Sequence, residues 1–436
     1  MENILFGNSN SSTKDLTNNV KVDLDSLPRL SGNRCIYRVP KRLRCVNDKA
    51  YTPQVVSIGP LHHGAEGLKS MEEHKMRFLR DYIKRTEVDL EYYVSIVKNQ
   101  EEKLRSCYAE HIGFSSDEFV KIILVDAVFI IELILKHDPR ACETNEPNYV
   151  MESPWMVDDI MPDLLLLENQ LPLFILEDLY YPKTVTYDGM TLSFASLSKL
   201  LFTNLLDPEP SKTNFFNPDS NKENSLLNHL IDLLINSAVP KKPQFGELAE
   251  GKALSLPTAT KLHQAGVKFE VSKGKKLLDI QFSNGVLQIP KLRIVDSATE
   301  AKIRNLIAFE QCHDRVNRCV SHYVVLMGSL VDKSEDVELL VKFEIIENRI
   351  GDNNRVVTLM NKLGDGVQWD HKKFMFAEIF SQLIEHYKNP WNNHKANLKQ
   401  NYFNSPWKTL SVIAASLLLI LTFIQTVCSI ISVVEG

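Results

Sequence analysis

The sequence predicts an α+β fold that is predominantly α-helical: a large globular body with a small β-hairpin region and one transmembrane helix at the C-terminus. Three observations carry this. Long apolar stretches open at helix-start signals, an Asn-Gly turn sits between β-rich runs, and an uncharged apolar stretch closes the chain. With 436 residues, 44% hydrophobic and 24% charged, there is material for one large core or two ordinary ones, and neither wholesale disorder nor many membrane spans is indicated. The expected organisation is a flexible tail over residues 1–30, a body over 31–405 with a variable insert at about 207–251, and a membrane helix over 409–434.

The tail is rich in Asn, Ser, Asp and Lys and poor in apolar residues, so it has little to bury. Order should begin near Cys35. The run RCIYRVPKRLR places Arg34, Arg38, Lys41, Arg42 and Arg44 around Ile36, Val39 and Leu43, and AYTPQVVSIGPLHHG follows, punctuated by Pro and Gly. An extended or looped segment with a basic face is expected.

Capping boxes, in which a Ser side chain and a Glu three residues later satisfy free backbone donors, mark helix starts at Ser70–Glu73, Ser115–Glu118 and Ser297–Glu300. The second precedes FVKIILVDAVFIIELILKHD, apolar on nearly every side yet carrying Asp126 and Glu132. Its charges favour a central core helix over a membrane span. DLLLLENQLPLFILEDLY reads as two core helices meeting at Pro172, since proline ends or kinks a helix. Residues 207–251 turn to Pro, Asn, Ser and Lys around one apolar island, LLNHLIDLLINSAV. Beyond, VKFEV, LLDIQF and VLQIPKLRI surround Ser283-Asn284-Gly285, a strong hairpin signal, and helical patterns should then continue almost to the C-terminal span.

From Thr409 to Val434 the chain carries no charge, longer than the roughly 30 Å hydrocarbon core requires. Lys388, Lys395, Lys399 and Lys408 precede the span and only Glu435 and Gly436 follow, so the positive-inside rule puts the body in the cytoplasm. Trp391, Tyr402, Phe403 and Trp407 crowd its entrance, as rings do at a headgroup interface. Ser416, Gln425 and Ser429 can bond a neighbouring helix, which allows homo-oligomerisation in the membrane, or bond their own backbone. No signal peptide is apparent at the N-terminus. Seven cysteines without a C-x-x-C pair, and one glycosylation sequon at Asn10, fit a reducing compartment.

The strings YRVPKRLR, AYTPQVVSIGPLHHG, MEEHKMRFL, DLLLLENQLPLFILEDLY, ATKLHQAGVKFE, FSNGVLQIPKLRI, RNLIAFEQC and NYFNSPWKTLSVIAASLLLILTFIQT, in this order, resemble the plant family called domain of unknown function 247 from about residue 34 to residue 430. The resemblance implies a plant membrane protein with a C-terminal anchor and no established activity. In grasses, members linked to pollen self-incompatibility imply recognition rather than catalysis. The family has no agreed catalytic residues to carry over.

Candidate chemistry is sparse. Cys312, His313, Cys319 and His322 form the best metal-like cluster, but their spacing matches no standard zinc site. His62 and His63 point apart on regular backbone. Asp158, Asp159, Asp163 and Glu168 bracket an apolar stretch, and Glu168 could be a buried general acid with a raised pKa or a paired carboxylate fixing the chain break before Pro172. Neither phosphate-binding glycine motif occurs, and Gly-x-Ser-x-Gly is absent. The five cations of Arg34–Arg44 are the most suggestive feature: clustered Arg can grip carboxylate, phosphate or lipid heads, or simply pair with local Asp and Glu.

The net charge of -5 argues against nucleic acid as a partner. The expectation is therefore a non-enzymatic recognition or signalling protein without cofactor, metal or catalytic residues, held in the plasma membrane by residues 409–434 and binding an unknown protein. An enzyme of unrecognised class using the acidic and histidine-bearing segments is the alternative, and a self-incompatibility-type determinant a third.

Overall fold

The helix Ser116–His137 runs through the middle of the body, with Ile122–Leu135 buried without a break. Its start follows the predicted box: the Ser115 amide donates to Glu118 at 3.1 Å, and the Glu118 amide returns to Ser115 Oγ. The helix Ser70–Thr86 lies along it, joined by the edge-on rings of Phe78 and Phe129 at 5.0 Å, and ends where Glu87 takes a left-handed conformation (φ 55°). Ser70 opens that helix without a side-chain cap, because Lys69 holds the N-cap position. The helices Leu90–Asn99, Leu173–Leu179 and Phe194–Thr203 complete the shell around the central one. The computed structural model describes residues 7–26, 32–137, 149–181, 186–187, 190–191, 193–203, 228–240, 243–248, 256–272, 276–295, 297–313, 317–392 and 406–434.

Other expectations change as well. Gly7–Ser26 is a helix whose residues 13–24 are exposed, where composition predicts a flexible tail. A helix satisfies its backbone internally, so it needs no apolar face to close its hydrogen bonds. The run before Pro172 is not a second helix: the helix Pro154–Asp163 stops, Leu164–Leu171 follows an irregular path, and Pro172 caps Leu173–Leu179. Asn169 and Gln170 hold that path by donating to the carbonyls of Val56, Asp163, Leu164 and Leu166. Much of the predicted insert, residues 207–227 and 249–251, lies outside the described residues; its apolar island forms the helix Leu230–Ala238, packed in the core against Phe194–Thr203 and Ser297–Cys312.

The sheets are small. β1 (Thr186–Tyr187) and β2 (Met190–Thr191) pair antiparallel. β3 (Lys268–Val271), β4 (Gln281–Ser283) and β5 (Val286–Ile289) form a three-stranded sheet in the order β3-β5-β4. The β4–β5 hairpin turns at Asn284 (φ 51°) and Gly285 (φ 76°), the left-handed pair that an Asn-Gly turn requires. β6 (Leu292–Ile294) pairs in parallel with β7 (Ile346–Asn348), so the helical run to the C-terminus is interrupted once. Five further helices, from Ser297–Cys312 to Ala377–Lys388, cover this half.

The last helix, Pro406–Val434, contains a 19-residue stretch, Ile413–Ile431, of mean hydropathy 2.2 with none of it buried. It is long and apolar enough to cross a membrane. Lys395, Lys399, Tyr402 and Phe403 lie outside the described residues.

Candidate functional site

The basic run is fixed to the body at its start. The amides of Cys35 and Ile36 donate to the Cys107 carbonyl, and the Ala109 amide donates to Ile36. Pro40 then opens a single helical turn, Lys41–Arg44, so that two guanidinium groups, Arg38 before the turn and Arg44 at its end, point inward. Both meet Glu168, whose side chain is 1% exposed: Arg44 at 2.5 Å and Arg38 at 3.0 Å, with His62 Nε2 at 3.2 Å and the Val39 amide at 2.7 Å. Arg38 also holds Glu110, and Arg44 holds Asp48. Arg42 donates to Gln311 and to the Gly366 carbonyl. Lys41 is exposed, and Arg34 is half-buried, its carbonyl accepting from the Tyr37 hydroxyl. The five cations therefore do not share one anion-facing surface: Arg38 and Arg44 are drawn to Glu168, because a buried carboxylate needs such partners, and Arg42 to Gln311 and Gly366.

The surroundings of Glu168 favour its ionised form. Burial alone would raise its carboxyl, but hydrogen bonds from His62, Val39 and Arg44, with the Arg44 charge, outweigh burial and hold it at about 2. That reverses the direction expected of a proton donor.

Around Glu168 runs a polar spine that supports the irregular segment Gln54–Gly59. The amides of Gln54, Val55 and Val56 donate to Asp163, that of Ile58 to Asn169 and that of Gly59 to Asp126. Lys75 closes the row, donating to the Ser57 carbonyl and to Asp126 at 2.7 Å. Burial opposes its charge, but Asp126 and Glu72 outweigh burial and raise the Lys75 pKa. Asn305 joins Leu167 to Ala50 from the helix Ser297–Cys312. Side chains here replace the ladder a strand would have had, which accounts for buried backbone donors in a loop. Asp158 and Asp159 are exposed and take no part in this row. Lys75 and Asn305 escape sequence reasoning; the only available signal is polar residues on otherwise apolar helix faces.

The predicted metal cluster does not converge. His313 Nδ1 lies 2.9 Å from the Tyr37 hydroxyl, while His322 Nδ1 accepts from the Met375 amide. Cys312 Sγ is turned to the Arg38 carbonyl, and His63 stands edge-on to Phe114. No three His, Cys, Asp or Glu side chains among the described residues are placed to share a metal. None of the six described cysteines forms a disulfide; Cys142 lies outside the described residues. Cys35 and Cys107 touch in the core, where the contact with Cys107 and burial push the Cys35 thiol up, away from a nucleophilic thiolate.

A groove of about 490 Å³ opens beside β4. Its lining comes from Pro240 and Pro243–Gly246, from Leu278–Phe282 leading into β4, and from Met375, Phe376, Glu378, Ile379 and Gln382 at the start of the helix Ala377–Lys388. Phe245, Ile280, Phe282, Met375, Phe376 and Ile379 make it apolar; Asp279, Glu378, Gln244, Gln281 and Gln382 supply its polar groups.

The structure thus defines a mostly helical α+β protein with a buried ionic spine, a surface groove and a long apolar C-terminal helix. The chain belongs to the DUF247 family, whose description is "Plant protein of unknown function", and the family model covers residues 36–421. It is similar to UPF0481 protein At3g47200 of Arabidopsis thaliana, 30% identical over 424 residues spanning 91% of this chain and 86% of that one. It is also similar to putative UPF0481 protein At3g02645 of the same plant, 24% identical across 89% of each chain. No solved structure matches it.

Proposed function

We propose that this chain is a membrane-tethered, non-enzymatic recognition protein whose body binds another protein. The observation that carries this reading is the apolar groove. Among the described residues its lining holds carboxylates and glutamine amides but no Ser, Cys, Thr or His, so none of them sets a nucleophile beside a base. An apolar depression with a polar rim is what a partner side chain fills. The unburied helix around Ile413–Ile431 supplies the tether, and anchoring concentrates the body with partners on one membrane surface. The lysines preceding the helix favour a body on the cytoplasmic side, and the plasma membrane is the membrane proposed.

The test compares the full chain with one lacking residues 409–434 in plant cells. After alkaline carbonate extraction the full chain stays in the membrane pellet and, on lysine-directed cross-linking in sealed membranes, yields discrete protein adducts; the shorter chain is released and loses them. A full chain extracted by carbonate refutes the tether. Absence of protein adducts refutes the binding role, and an N-terminal tag digested on intact cells refutes the cytoplasmic placement.

A further inference from the structure

The groove carries a finer reading, which rests on the protein-binding role above. One wall leads into β4, the outer strand of its sheet, and among the described residues no strand pairs with the far side of β4. Facing it across the groove are Met375 and Phe376 and the first turns of the helix Ala377–Lys388. Among the described residues the lining contains two acids, Asp279 and Glu378, and no Lys, Arg or His; Lys241 and Lys242, between Pro240 and Pro243, lie outside the described residues. Each carboxylate accepts from a glutamine amide nearby, Asp279 from Gln281 and Glu378 from Gln382, at 3.0 Å. Neither forms an ion pair of 4 Å or less among the described residues, whereas Lys276, a near neighbour in sequence, donates to the Asn236 and Val239 carbonyls.

We propose that the groove receives an extended, basic segment of a partner protein, which adds to the free edge of β4. Three features act together. The strand edge offers backbone donors and acceptors over about 10 Å, the length of three residues at roughly 3.3 Å each. The apolar lining takes alternate side chains of an extended segment, and the two carboxylates take Lys or Arg at the positions between or beside them. An acidic or neutral segment would leave Asp279 and Glu378 without a counter-charge at a closing interface, which disfavours it.

The experiment uses the purified full chain in detergent micelles and two fluorescein-labelled hexapeptides, one alternating lysine with valine and one alternating glutamate with valine, read by fluorescence anisotropy. The lysine peptide should bind saturably and at least tenfold more tightly than the glutamate peptide, and more weakly as salt rises. Asp279→Lys with Glu378→Lys should weaken the lysine peptide at least tenfold and reverse the preference, with the melting temperature unchanged. Methylating alternate backbone nitrogens of the lysine peptide should abolish binding. Equal binding of both peptides, or an unchanged preference in the charge-reversed chain, overturns the basic occupant; full binding of the methylated peptide overturns strand addition. Concentration-dependent self-association that the same two substitutions abolish would make a second copy the occupant and overturn the partner. Protein adducts in membranes that survive the charge reversal would sink this inference while leaving the protein-binding role standing, and peptide binding without any membrane adduct would do the opposite.

Discussion

Replacing Glu168 by glutamine keeps the shape of the side chain and removes its charge. Its oxygens serve Arg44, Arg38, His62 and the Val39 amide within 3.2 Å, and the amide nitrogen of glutamine would point a donor at donors. Breaking a buried ion pair by removing one partner costs about 3–5 kcal/mol. The low end applies, because Arg38 and Arg44 are 45% and 27% exposed and keep Glu110 and Asp48. An unfolding entropy of about 2.1 cal/mol/K per residue over roughly 350 body residues gives about 0.7 kcal/mol/K, so a 3 kcal/mol loss lowers the melting temperature by about 4 °C. The control is Glu110→Gln on the same Arg38: that carboxylate is 42% exposed, and an exposed pair is worth under about 1 kcal/mol, or a shift near 1 °C. Differential scanning fluorimetry of the two variants decides the matter. Equal shifts, or a larger one for Glu110→Gln, would refute the assignment of Glu168 as the hub of the spine.

Three further outcomes follow from the same geometry. Lys75→Met strands the buried Asp126 and should cost about 3–5 kcal/mol, while adding Asp126→Leu regains part of the loss; chemical denaturation measures both. Gly59→Ala should destabilise far more than Gly64→Ala: both have positive φ, but a Cβ at Gly59 would lie 2.9 Å from the Gln170 carbonyl and one at Gly64 meets nothing, so melting temperatures should separate a clash from left-handed strain of about 1 kcal/mol. Acid should act in two windows. Burial holds His229 and His322 down at about 4, below their unfolded 6.5, so their contribution fades as pH falls from 6.5 to 4; Glu168, held at about 2 against 4.5 unfolded, contributes fully above 4.5 and loses its contribution as pH falls toward 2. A pH series of melting temperatures should show His322→Asn reducing only the upper window, with the His229 part left, and Glu168→Gln flattening only the lower.

Sequence reasoning succeeded where a local pattern has one physical outcome. The apolar run from Ile122 to Leu135, broken only by Asp126 and Glu132, leaves a helix no solvent face, and the Ser115–Glu118 box shows where it starts. Asn284-Gly285 can turn a hairpin because both residues tolerate positive φ. The uncharged C-terminal run reads as a long apolar helix from composition alone, and the eight ordered strings were sufficient to point to the family. It failed where the answer lay at long range. Whether Arg38 and Arg44 face solvent or a carboxylate depends on Glu168, 130 and 124 residues away, and no local periodicity encodes that partner. The run before Pro172 looked helical because its leucines are apolar, yet Asn169 and Gln170 bind the backbone and divert it. The groove draws its walls from three separate segments, so only the packed chain could bring Asp279 and Glu378 to one apolar depression. Short-range sterics and burial were written in the sequence; the pairing of buried charges and the shape of the groove were decided by tertiary structure, because each depends on which distant groups share the same low-dielectric space.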